Sequence, residues 1–124
     1  MKLRIRGNSV RFRLSQSETV QLAETGTVAD SIQFPPGGQL EYGIEVGDVP
    51  VPEASYDQSG IRVTVPSGTA STWLEPQEVT ISAEQSLGEG RVLTILIEKD
   101  FACLTPREGE EDSDAFPNPQ SASD

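Results

Sequence analysis

Arg4, Arg6, Arg11 and Arg13 alternate with apolar residues in the opening Met1-Lys-Leu-Arg-Ile-Arg-Gly-Asn-Ser-Val-Arg-Phe-Arg-Leu14. Side chains at every second position of a strand share one face, and a guanidinium is a planar fork of donors that grips carboxylate or phosphate in pairs. The chemistry on offer is therefore anion recognition. These four arginines are the candidate site for an anionic ligand or an acidic protein.

The remaining reactive residues offer less. The chain has no histidine, which excludes a Ser-His-Asp triad, a Cys-His dyad, a histidine general base and a His-ligated metal within one chain. Its one cysteine, Cys103, excludes an internal disulfide and lies between Ala102 and Leu104, where a small core thiol is expected. The acidic run Glu108–Asp114 lacks the ligand spacing of a calcium loop and reads as a solvated tail. No catalytic residue, metal ligand or cofactor pattern is nominated. Phe116, in Phe116-Pro-Asn-Pro119, is the one aromatic among those acids and a candidate docking anchor.

Charge is distributed unevenly. Five of the nine cations fall in the first thirteen residues, and no acid precedes Glu18. Residues 15–104 carry fourteen acids and three cations, and the formal net charge is −11. A dense basic edge on an acidic protein must face something negative, within the molecule or outside it. Phosphate repulsion from the rest of the surface disfavours nucleic acid as the general partner. No stretch approaches the roughly 20 apolar residues that span a bilayer, and the opening lacks the continuous apolar segment of a signal peptide. Together with the lone cysteine this gives the expectation of a cytoplasmic protein.

The elements that must position the arginines are legible. Leu3 and Ile5, then Val10, Phe12 and Leu14, alternate with the cations on either side of Gly7-Asn8, a two-residue turn signal. With that turn Lys2 faces Arg13, Leu3 faces Phe12, Arg4 faces Arg11 and Ile5 faces Val10; with Asn8-Ser9 as the loop instead, individual partners change but the two faces do not. One hairpin face is then apolar and the other cationic. Facing like charges cost a few tenths of a kcal/mol up to about 1 per pair unless an anion lies over them. Glu41 and Glu45, Glu98 and Asp100, or the tail are the internal sources of such charge.

Ser15-Gln-Ser-Glu18 has the spacing of a capping box and Gly26 suits a helix end, so a short helix is expected between them. Alternating runs at 28–34 and 40–46 flank the turn Pro35-Pro36-Gly37-Gly38, residues 47–60 read as a loop, and Ile61, Val63 and Val65 as a strand. A helical turn is expected over 67–74. A last hairpin turns at Gly88-Glu89-Gly90, its return strand Val92–Ile97 apolar on both faces and so central and doubly covered. No internal repeat of fixed period stands out. The sum is one α+β domain over 1–104, mainly antiparallel sheet or a partly closed barrel with one or two short helices, followed by an acidic, flexible tail over 105–124.

The opening through Glu18 and the close Glu98-Lys-Asp-Phe-Ala-Cys-Leu104, with its acids and Phe116-Pro-Asn-Pro119, resemble a family of small uncharacterised bacterial proteins. The resemblance implies a free-standing bacterial cytosolic domain and no known activity. Arg6-Gly-Asn-Ser9, followed by a strand, a short helix and Gly26, is similar to the start of swapped-hairpin DNA-binding antitoxins, with Leu14-Ser15-Gln16 where those have Ile-Pro-Lys. The function expected first is a non-enzymatic binding or regulatory module that uses the basic hairpin face. An antitoxin-like DNA-binding regulator is the alternative, and a histidine-free enzyme ranks below both.

Overall fold

The computed structural model describes residues 1–78 and 80–100. Two strands open the chain, β1 (Lys2–Arg6) and β2 (Ser9–Leu14), followed by helix α1 (Gln16–Thr25) and strands β3 (Thr27–Phe34) and β4 (Gly38–Gly47). Then come β5 (Glu53–Asp57), β6 (Gly60–Pro66), α2 (Ser67–Trp73), β7 (Thr80–Gly88) and β8 (Arg91–Lys99). The order hairpin–helix–hairpin therefore occurs twice.

Local signals set the first unit. The β1–β2 hairpin has the expected register, with Arg4 opposite Arg11 and Ile5 opposite Val10. Helix α1 begins on a complete capping box: the Glu18 N–H donates to Ser15 Oγ, and Glu18 Oε1 accepts from the Ser15 N–H at 2.8 Å. It ends on Gly26 in the left-handed region, whose N–H donates to Leu22 O at 2.9 Å. A φ of +81° is cheap for glycine and costly for residues with a Cβ.

The two units exchange hairpins. One sheet has the order β1-β2-β8-β7 and the other β3-β4-β6-β5. Each hairpin is antiparallel, but the central seams, β2 with β8 and β4 with β6, are parallel. The fold is thus α+β with two mixed sheets, and the barrel alternative fails because the sheets do not close on one another. Both sheets bury their inner faces in a single core, with Phe12, Leu14, Ile95 and Ile97 from the first and Val28, Ile44, Val63 and Val65 from the second. Leu22 of α1 and Ala70 and Trp73 of α2 complete it. The edges are also tied, because Gln85 of β7 accepts from the Ala54 N–H of β5 at 2.7 Å and donates to Ala54 O at 3.2 Å.

Two expectations are corrected here. Residues 47–60 include the strand β5, which lies at a sheet edge and offers only Ala54 and Tyr56 as apolar residues. Strand β8 is central as expected, with Ile95 and Ile97 fully buried, but its other face is not sealed: Leu96 is half-buried and Val92 is 41 % exposed. The fold does repeat a topology, without any fixed period in the sequence. Matching hairpin registers makes residue 10 equivalent to 61 and 12 to 63, while the parallel seams make Tyr42 equivalent to Ile95 and Ile44 to Ile97. The same superposition sets Leu22 against Trp73, the buried residue near the end of each helix.

Candidate functional site

Strand alternation places the cations of β1 and β2 on the face turned away from the core, since Val10, Phe12 and Leu14 point into it. The parallel partner β8 then adds its own outward residues, Glu98 beside Arg13 and Leu96 beside Arg11. Glu98 Oε1 lies 3.2 Å from Arg13 Nε and 3.7 Å from Arg11 Nε. Asp100 lies 2.9 Å from Lys2 Nζ. Among the described residues, the ion pairs of Glu98 and Asp100 lie toward the end of the face where β8 leaves the sheet. Glu41 and Glu45, the other internal candidates, are engaged by Arg62 at 3.2 and 3.4 Å in the second sheet.

The opposite end of the face is organised differently. Arg4, Arg6, Ser9 and Arg11 line a shallow concavity of about 210 Å³. Arg4 and Arg6 are exposed, Arg11 is half-buried, and Arg6 makes no ion pair among the described residues. Three guanidinium-bearing residues and a serine line one hollow, a donor set whose chemistry fits a carboxylate cluster or a phosphate group. Of the four arginines expected at the site, three share the concavity, and Arg13 is drawn to Glu98. Ser9 is the member that sequence reasoning missed. Its signal was available, since it pairs with Arg6 across the hairpin.

Other polar groups are explained by the fold. Burial pushes the Glu18 carboxyl up, but hydrogen bonds from the Met1 amino group and from Ser15 outweigh it and hold the carboxyl below its ordinary range. Burial, then the charges of Asp30 and Glu18, push the Tyr42 hydroxyl up. Asp57 is held down by the Ser59 hydroxyl and N–H, which donate to it at 2.6 and 2.9 Å. Among the described residues no cluster of acids and thiols could hold a metal ion, and no helix is long and apolar enough to cross a membrane. Cys103, Phe116 and the acidic run lie outside the described residues.

Neither a curated protein nor a solved structure matches the chain. A family profile does match, over residues 1–120, which is nearly the whole sequence. The chain belongs to DUF7009, a family of unknown function.

Proposed function

We propose that this protein is a non-enzymatic binding module whose basic hairpin face recognises an acidic partner. The observation that carries this reading is the concavity formed by Arg4, Arg6, Ser9 and Arg11, which runs toward the turn of the hairpin and meets Glu98 only through Arg11. Arg6, without an ion pair among the described residues, gives up no internal carboxylate when it accepts an external one. The resemblance of the opening and closing segments to small bacterial proteins supports a bacterial, cytoplasmic setting.

The test uses a fluorescein-labelled oligoglutamate peptide and fluorescence anisotropy. The wild-type chain binds the peptide, and binding weakens from about 0.05 to about 0.5 M salt as exposed charges are screened. The variant Arg4→Glu with Arg6→Glu keeps its fold by circular dichroism and binds at least about tenfold more weakly. Equal affinity in wild type and variant, or no binding by either, removes the proposal.

A second reading, the antitoxin-like DNA-binding regulator, is favoured by one observation. The hairpin–helix–hairpin unit occurs twice with its hairpins exchanged between sheets. Against it stands the second unit, whose outward hairpin residues include Glu53 and Asp57 where the first has Lys2 and Arg6. A duplex gripped by both units would meet acids on one side. Binding of labelled duplex DNA at low salt, lost in the same double variant, would favour this reading over the first.

A further inference from the structure

The two outward faces occupy equivalent places in the repeat and carry opposite charge. On the first sheet Lys2, Arg4, Arg6, Arg11 and Arg13 face outward with Glu84 and Glu98, and Asp100 pairs with Lys2 at the edge, which leaves that face at +2 among the described residues. On the second, Glu41, Glu45, Glu53 and Asp57 face outward with Arg62, which leaves it at −3. The reversal is sharpest on the edge strands, where Lys2, Arg4 and Arg6 of β1 have Glu53, Ser55 and Asp57 of β5 as their equivalents.

The centres of the two faces differ as well. Leu96 stands in the middle of the basic face, between Arg11 and Ser82. Its equivalent in the acidic face is Gly43, between Arg62 and Ala29. A Cβ at Gly43 would lie 2.7 Å from Val28 O and 2.9 Å from Ala29 Cβ, so close strand packing keeps that position empty of a side chain. The basic face thus carries an apolar side chain where the acidic face carries none.

We propose that the acidic partner is a second copy of this chain, the basic face of one molecule docking on the acidic face of the next. The inference rests on the binding-module reading and names its partner. The two surfaces differ, so the contact is head-to-tail: each copy can engage two neighbours, and assembly proceeds to a ring or an open chain. A net charge of −11 opposes approach at long range. Salt near 0.15 M screens that repulsion beyond about 8 Å while close contacts persist, and about 1 M weakens the contacts too. Association is therefore strongest at intermediate salt.

Sedimentation velocity of the full chain across that salt range tests this, together with two charge reversals, Arg4→Glu with Arg6→Glu and Glu41→Lys with Glu53→Lys. Wild type associates best at intermediate salt, and each reversal alone loses association by at least about tenfold. Mixing the two variants restores it, because the cationic face of one meets the anionic face of the other. A wild type that is monomeric at every salt, a reversal that still associates, or a mixture that does not overturns the inference. If oligoglutamate still binds the wild type and not the Arg4, Arg6 variant, only the self-partner falls and the binding-module reading stands. If it binds neither, both fall.

Discussion

Arg11 and Arg62 occupy equivalent positions in the two units, and each reaches across its parallel seam to a glutamate on the neighbouring strand. Arg11 Nε lies 3.7 Å from Glu98 Oε1, and Arg62 Nε lies 3.4 Å from Glu45 Oε1. Those glutamates are themselves equivalent, being two residues beyond the seam partners Leu96 and Gly43. One diagonal ion pair thus marks the centre of both sheets. What surrounds it differs: Arg13 joins Glu98 in the first sheet, and Glu41 joins Arg62 in the second. The faces diverged around a shared pair, one toward cations and one toward acids.

This makes Glu98 the internal brake on the candidate site. Glu98→Gln removes the carboxylate that Arg11 and Arg13 share. Oligoglutamate affinity should rise about two- to fivefold, with unfolding free energy changed by less than about 1 kcal/mol, as for a partly exposed pair. Glu45→Gln, the equivalent change in the other sheet, should leave that affinity unaltered. A Glu98 variant with unchanged affinity would show that the guanidinium groups near it do not contribute to anion binding.

Two glycines should respond in opposite directions to alanine. Gly60 is buried at a φ of +134°, and a Cβ there would sit 1.8 Å from the Glu41 carbonyl oxygen in the parallel neighbour β4. Gly60→Ala must shift backbone and should cost more than about 2 kcal/mol. Gly68, in α2, has open space at its Cβ position and no unusual φ. Gly68→Ala should gain roughly 0.5–1 kcal/mol from helix propensity and a less flexible unfolded chain. Urea midpoints with unchanged slopes would report both effects.

The contrast explains which parts of the fold could be read beforehand. The β1–β2 register was legible because Gly7-Asn8 fixes a short turn and the alternation of charge with apolar residues fixes the faces. Helix α1 was legible through Ser15, Glu18 and Gly26, each with a local task. Strand β5 was not, because Tyr56 is 78 % exposed and the strand is held by its ladder to β6 and by the Gln85 amide rather than by apolar alternation. The parallel seams were hidden for a different reason. They join residues as distant as Ser9 and Thr94, and periodicity states which face a residue occupies, never which strand lies beside it.

The topological repeat has no fixed period in the sequence, and its equivalent residues share little beyond an apolar side toward the core. Leu22 answers to Trp73, and the cations of β1 answer to the acids of β5. The candidate site was half legible on the same grounds. Its arginines were evident as a set, but that Glu98 engages Arg13 and Arg11 and not Arg6 depends on β8 lying parallel to β2.

Acid stability should depend on Glu18. Its carboxyl titrates below the ordinary glutamate value of 4.5 in the folded chain, because the bonds from the Met1 amino group and Ser15 favour the ionised form. A depressed folded value gives stability that is present above the unfolded value and lost as pH falls through the folded one. Urea unfolding from pH 7 down to pH 3 should therefore show a decline beginning near the ordinary glutamate range. In Glu18→Gln the decline should be shallower and stability at neutral pH lower. Parallel curves for the two chains would exclude Glu18 as a contributor.

The end of α2 supplies the last prediction. Lys99 Nζ donates to the carbonyl oxygens of Glu75 and Glu78, each at 2.7 Å, and sits 5.5 Å from the centre of the Trp73 ring. Trp73 is 2 % exposed and fills the core between the sheets, so Trp73→Ala should cost about 3–5 kcal/mol through the cavity it leaves. Lys99→Met keeps an unbranched apolar stem near the indole but removes both charge-assisted hydrogen bonds, for a cost of about 1.5–3 kcal/mol. Trp73→Leu separates the two roles, since it keeps an apolar side chain in the core but removes the aromatic face. If Lys99 acts partly through the ring, the cost of Lys99→Met should be smaller by about 0.5–1 kcal/mol in the Trp73→Leu background than in wild type. An equal cost in both backgrounds would assign Lys99 wholly to the carbonyls that follow α2. Far-ultraviolet circular dichroism suits this comparison, because the chain's single tryptophan is itself one of the residues being changed.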